Sequence, residues 1–274
     1  MLYPYTLNSI FCGRPGSPPT LIGGERDGAF PAMMEIFTNY SMTPNKVRDM
    51  ASHSGKGLVN ARGNEKGPMP RSLFQLGRSG DSQELLLIRH ASTDMAGTLC
   101  GQSDPPLNPL GREQANALAT RLQSCNVRQL YASDLKRSLQ TAQPLAQSWN
   151  IPIAARSGLR EISFGDWEGR RWSQMGADKA GIVAMESSPQ LCAPGGETFA
   201  CFRNRVLCAL KETVADCDGR LAAIVTHLGV MRVVLNELGS SNGIWESRQR
   251  IDHCSIYRIR IDGTSLPLIE ELKA

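Results

Sequence analysis

The sequence predicts an α/β fold: a three-layer sandwich with a mostly parallel central sheet and helices on both faces. Two observations carry this. Apolar runs such as 84–89 (ELLLIR) and 221–226 (LAAIVT) have the unbroken hydrophobicity of strands buried on both faces. Between such runs lie segments whose apolar residues recur every three or four positions, the spacing of one helix face. Strands that alternate with helices pair in parallel, and the helices cover both faces of the sheet.

Each element has its own signal. The first strand is ELLLIR. Asn108 is a good N-cap with Pro109 at the first helical position, and Ala115, Leu118, Ala119 and Leu122 mark the inward face of the helix that follows. Residues 129–132 read as a second strand. Ser133 or Asp134 is expected to cap a helix striped by Leu135, Leu139, Ala142 and Ala146. A third strand falls at 151–155. A long helix from about Thr198 to Ala215 turns Phe199, Phe202, Val206 and Leu210 inward, and Cys201 and Cys208 look like small core residues in it. LAAIVT is the next strand, 230–238 the next helix, and 254–261 alternates and is expected to close the chain as an edge strand.

The organisation changes near residue 83. The first 83 residues hold 8 of the 16 prolines and stretches such as GRPGSPPTLIGGERDG. Such a composition buries too little apolar surface to offset the entropy of ordering. Residues 1–83 are expected to be a mostly disordered extension with a short helix near Ala32–Thr38, and Met50 and Met69 offer alternative translation starts. Residues 84–274 are expected to form the single ordered domain, which carries any catalytic site.

Bulk composition excludes several classes. The hydrophobic fraction of 41% and charged fraction of 20% are ordinary for a globular chain. A net charge of +4 suits a small anionic substrate but is too dispersed for nucleic acid. No apolar run approaches the ~18 residues of a membrane span, and the N-terminus lacks the basic start of a signal peptide. The eight cysteines form no CxxC pair, so a reduced, cytoplasmic chain is the simplest account. A homodimer is compatible with the sequence.

The chemistry-bearing residues sit where strands end. Arg89-His90 closes the first strand and Thr226-His227 closes LAAIVT. Ligands of open α/β sheets bind outside the carboxyl ends of strands, so the two histidines are placed to meet in one pocket. Arg89, at the end of a buried run, needs an anion as partner, and a phosphate matches the guanidinium fork. Arg137, one turn into a helix, can lean back toward the strand ends.

The blocks LIRHAST, SDLKRSLQTA, LREISFGDWEG, PGGET and VTHLGVMR, in that order between about Glu84 and Ile261, resemble the histidine phosphatase superfamily, also called phosphoglycerate mutase-like. Short connections and the FGDWEG block are most similar to its broad-specificity and α-ribazole phosphatase branch. The resemblance implies that His90 is the nucleophile and forms a phosphohistidine. It implies that Arg89, Arg137 and His227 clamp the phosphoryl oxygens, and that Glu161 protonates the leaving group and then activates water. It implies no cofactor and no metal. The expected substrate is a small phosphorylated metabolite, with α-ribazole 5′-phosphate one candidate. Mutase-type transfer on the same fold and a non-catalytic phosphate-binding module are the alternatives.

Three positions depart from the family pattern. The glycine usual after the nucleophile is Ala91, whose methyl is expected to crowd the phosphate. The glycine usual after the second histidine is Leu228, expected to reshape the substrate wall. The asparagine often found in the first motif is absent, which leaves Ser92, Thr93 or Gln102 to supply its hydrogen bond. Trp167 and Trp172 are expected beneath the active-site loop. Glu197 either faces the pocket or supports a helix N-terminus. His253 reads as a packing residue.

Overall fold

The computed structural model describes residues 59–60, 82–217, 219–239, 250–262 and 267–273. Within it, strands β1 (Gln83–Arg89), β2 (Gln129–Ala132), β3 (Ile153–Ala155), β4 (Ala222–Thr226), β5 (Ile256–Ile261) and β6 (Leu268–Leu272) form one sheet. Helices α1 (Pro109–Leu122), α2 (Lys136–Trp149), α3 (Asp178–Ser187), α4 (Phe199–Asp216) and α5 (Leu228–Gly239) intervene. The sheet order is β3-β2-β4-β1-β5-β6. The first four strands run parallel, and β5 and β6 are antiparallel.

Side-chain alternation along a strand splits the core in two. Leu85, Leu87 and Ile224 pack on one face with Phe202, Val206 and Leu210 of α4 and Val230 and Val234 of α5. Leu86, Ile88, Ala223 and Val225 pack on the other with Leu118 and Leu122 of α1 and Ala142 and Leu145 of α2. The three predicted layers follow directly.

The Asn108 side chain accepts from the Gly111 amide and caps α1, with Pro109 at its start. The start of α2 differs from expectation. The buried Ser133 faces the Leu135 amide and Asp134 is held by both Nε and Nη2 of Arg160. The Lys136 amide instead donates to Asp104 Oδ1 at 2.6 Å, so the cap comes from a distant loop.

Two further expectations are corrected. Ile256–Ile261 is an inner strand, paired with β1 on one side and β6 on the other. The edge is LIEEL, whose half-exposed, charge-bearing pattern gives little signal. Cys254, at φ 59°, turns the chain, and β5 begins after it. Cys201 and Cys208 are exposed, because the 3.6-residue repeat carries them away from the Phe202, Val206 and Leu210 stripe.

The helix expected at Ala32–Thr38 lies outside the described residues. From the N-terminal segment, Val59–Asn60 pairs antiparallel with Leu191–Cys192. Among the described residues no helix is long and apolar enough to cross a membrane.

Candidate active site

The parallel ladder between β1 and β4 sets the centre of the site. Arg89 stands opposite Thr226, and the His90 amide donates to the Thr226 carbonyl at 2.8 Å. Both chains therefore leave the sheet at the same level, and the His90 and His227 rings lie 5.1 Å apart. His90 Nδ1 is 2.7 Å from the carbonyl of Ala91, so Nδ1 carries the ring proton and donates it. Nε2 keeps its lone pair. Burial, and then the positive charges of Arg89 and Arg137, hold the His90 pKa well below the usual imidazole value. A neutral ring with a free Nε2 is a competent nucleophile.

Arg89 donates through Nη1 to the Ile251 carbonyl at 2.7 Å, while its buried Nε has no hydrogen-bond partner. Burial lowers its pKa to about 10, with Glu161 pulling the other way. A buried guanidinium on a cavity wall, with one donor still unpaired, favours an anion as its partner.

Glu161 does not pair with Arg160 or Arg156, which bind Asp134 and Asp216. Its Oε1 accepts from the Ile162 amide and its Oε2 from the Gly229 amide, each at 2.9 Å. Gly229 lies in the first turn of α5, and a Cβ there would overlap the Glu161 carboxylate. The loop carrying Glu161 is clamped from behind. Arg205 on α4 donates to the carbonyls of Gly158, Arg160 and Glu161, and Glu197 grips the same guanidinium at 3.0 and 2.7 Å. Glu197 therefore faces Arg205 rather than the pocket.

Arg137 and His227 lie behind His90, not on the cavity wall. Arg137 Nε donates to His227 Nδ1 at 3.2 Å, Nη1 to the Ser103 carbonyl and Nη2 to those of Cys100 and Gly101. His227 Nε2 faces Ser138 Oγ at 3.3 Å. Burial and then Arg137 keep the His227 pKa well below its ordinary value.

The loop at residues 100–103 is held by Glu168, of the FGDWEG block. Its carboxylate accepts from the amides of Gly101, Gln102, Ser103 and Phe164 and from the Ser103 hydroxyl. Burial alone would raise its pKa, but these donors prevail and lower it.

A cavity of about 140 Å³ opens beside His90. Arg89, His90, Glu161, Thr93 and Leu228 line it, and Gln102 does not. Ser92 faces α1 instead, with its amide on Gln114 and its hydroxyl near Asn108. Ala91 does not crowd the cavity: it packs with Leu107 and Ala115. Trp172 lines the cavity, whereas Trp167 belongs to the core.

His253 is the clearest correction. It is no packing residue but a wall of the cavity, with its ring 5.4 Å from that of His90. Burial, and then Arg89, push its pKa down to about 3. Its placement follows from the antiparallel β5, whose entry loop lies beside the exit of β1. No local pattern announces it. Arg205, Gly229 and Glu168 also escaped the sequence reading, although Gly229 is the glycine directly after Leu228 in THLG and Glu168 sits within a quoted block. Among the described residues no cluster of His, Cys, Asp and Glu could hold a metal ion.

Comparison with known proteins agrees with this geometry. The family model for the histidine phosphatase superfamily (branch 1) matches residues 85–271. The chain is 28% identical over 180 residues to the probable phosphoglycerate mutase GpmB of Proteus mirabilis, covering 64% of this chain and 84% of the relative. A mycobacterial glucosyl-3-phosphoglycerate phosphatase superposes with a TM-score of 0.59 at 25% identity, over 70% of this chain and 99% of that one. The α-ribazole phosphatase of Shigella flexneri superposes with a TM-score of 0.60 at 26% identity, over 70% and 96%. The chain belongs to the histidine phosphatase superfamily, branch 1.

Proposed function

We propose that the chain is a metal-independent phosphomonoester hydrolase working through a phosphohistidine at His90. The observation that carries this reading is the state of the His90 ring. Its Nδ1 is tied to the Ala91 carbonyl, it is held neutral, and it shares a cavity with Arg89 and Glu161.

In the first step the Nε2 lone pair attacks phosphorus. The P–N bond forms as the bond from phosphorus to the ester oxygen breaks, and Glu161 in its acid form gives that oxygen its proton. In the second step water attacks phosphorus, the P–N bond breaks, and the Glu161 carboxylate takes the proton from water. Inorganic phosphate leaves and the neutral imidazole returns. The Arg89 guanidinium on the cavity wall meets the charge on the phosphoryl oxygens. Arg137 and His227 join it when a phosphoryl oxygen replaces one of the loop carbonyls that Arg137 now holds.

Mutase-type transfer is the second reading, favoured by the name of the Proteus relative. A mutase must also grip the carboxylate of its phosphoglycerate. Among the described residues lining the cavity Arg89 is the one permanent cation, and it serves the phosphoryl group. Hydrolysis is therefore preferred. A non-catalytic binding module would have no use for Glu161 on the cavity wall. α-Ribazole 5′-phosphate, suggested by the name of the Shigella relative, is one candidate substrate.

The test is turnover of phosphomonoesters by the full chain in EDTA, beside the H90A variant. Hydrolysis that survives chelation, disappears in H90A and passes through an acid-labile phosphorylated protein is the expected result. Turnover by H90A would sink the reading.

A further inference from the structure

Beyond the phosphoryl centre, the described residues of the cavity wall are mostly apolar and include no second cation. Leu228 projects from the start of α5, directly after His227. Met95 and Leu99 come from the loop after β1, and Phe164 and Trp172 come from the short turns after Glu161. The polar side chains left on this wall are Thr93, Thr98 and His253, besides Cys100. His253 is neutral, since its pKa is pushed down to about 3, so it offers a hydrogen bond and no charge. The indole Nε1 of Trp172 is buried without a partner. A second carboxylate or phosphate entering this space would lose its water and gain no countercharge, an unfavourable transfer. A polyol would leave most of its hydroxyls unpaired. A hydrocarbon gains about fourfold in binding for each methylene buried.

Size narrows the choice. The space of about 140 Å³ also holds the phosphoryl centre and opens to solvent, so against the roughly 150 Å³ of a cavity that holds benzene it encloses at most one ring and leaves anything larger in water.

We propose that the natural substrate is a phosphomonoester whose leaving alcohol is apolar, one aromatic ring or a short hydrocarbon chain in size, and carries no second anionic group. This rests on the phosphatase reading above and narrows its substrate class, setting aside α-ribazole 5′-phosphate, whose leaving group is a hydroxylated riboside. The bonds made and broken are those already described, and the products are the free apolar alcohol and inorganic phosphate. Leu228 is the specificity-determining residue, because it is the apolar side chain that α5 sets on the cavity wall, directly after His227.

The test compares kcat/KM of the full chain for benzyl phosphate, glycerol 3-phosphate and 3-phosphoglycerate. All three release alkyl alcohols, so leaving-group acidity does not bias the comparison as a phenol would. Benzyl phosphate is expected to exceed both others by ~100-fold, the worth of three to four buried methylenes. L228S is expected to cut the benzyl-to-glycerol ratio about tenfold, and L228K to raise turnover of 3-phosphoglycerate. Equal or greater efficiency on glycerol 3-phosphate or 3-phosphoglycerate in the wild type overturns the proposal, whatever the variants do. So does a ratio that neither variant moves. Acetyl phosphate separates the two levels of inference. Labelling of His90 by acetyl phosphate without a preference for benzyl phosphate sinks the substrate class alone. No labelling and no turnover of any ester sinks the hydrolase reading and this one with it.

Discussion

Gly229 and Glu161 are matched to each other: the Gly229 amide donates to Glu161 Oε2 at 2.9 Å, and any side chain on Gly229 would occupy the position of Oε1. The first turn of α5 thus orients the proposed acid–base carboxylate through an amide that only glycine can bring so close. G229A is expected to displace Glu161 and lower kcat by ~10²-fold, within the range that general acid–base groups supply. Its melting temperature should stay within a few degrees of wild type. Steady-state kinetics beside a thermal melt check this, and an unchanged kcat would break the link between the two residues.

Removing the proton donor itself gives a graded result. E161Q is expected to lose ~10²–10⁴ in the rate at which alkyl phosphates phosphorylate His90 and much less in the same step with p-nitrophenyl phosphate, whose anion leaves without a proton. Dephosphorylation also needs Glu161, so phosphohistidine should accumulate on the activated ester. Equal losses on both substrates would argue that Glu161 only shapes the pocket.

Glu168 ties two loops with one carboxylate and five donors. E168Q keeps the shape but replaces charge-assisted bonds with weaker ones and turns one oxygen into a donor facing donors. A loss of ~2–4 kcal/mol in unfolding free energy is expected, read by urea denaturation, together with a raised KM as the loop at 100–103 loosens. A change under ~0.5 kcal/mol would mean that the loops are held by other contacts.

Two buried histidines and the half-buried His253 set the acid limit of stability. His90, His227 and His253 all have folded pKa values below the ordinary imidazole value. Above about pH 6.5 both folded and unfolded chains hold them neutral, and stability is flat with respect to them. As pH falls from 6.5 toward 3 the unfolded chain binds protons that the folded chain does not, so stability declines. The slope is up to ~1.4 kcal/mol per pH unit for each histidine. Below about 4.5 the lowered carboxyl of Glu168 adds a loss of the same sign. Urea melts at pH 7.5, 6 and 5 should show a falling midpoint, and H253N should flatten the slope by about a third. A midpoint that rises on acidification would contradict the burial of these rings.

Much of this was legible in the chain because it depends on short-range pattern. The unbroken LLLI and AIV runs encode buried parallel strands, Asn108-Pro109 encodes a helix start, and His90 and His227 sit at strand ends where the topology must gather them. What was not legible depends on long-range placement. Asp104 caps a helix 32 residues away. Arg205 supports a loop more than 40 residues upstream through backbone carbonyls, which leave no trace in side-chain chemistry. His253 enters the site only because β5 runs against β1, and strand direction is not written in the six residues of IYRIRI.

That reversal of direction has an evolutionary corollary. The nucleophile and its histidine neighbour are locked by the β1–β4 ladder, where a one-residue slip would misplace both. The opposite wall arrives through the turn before β5, tied to Arg89 by main-chain bonds from Cys254 and to Ser255 and by the Arg89 side chain on the Ile251 carbonyl, so on that side every partner is a main-chain atom. Main-chain bonds are indifferent to side-chain identity. His253 can therefore be exchanged, and selectivity retuned, without moving the backbone that carries His90: one seam of the sheet is fixed by chemistry while its neighbour is free to drift.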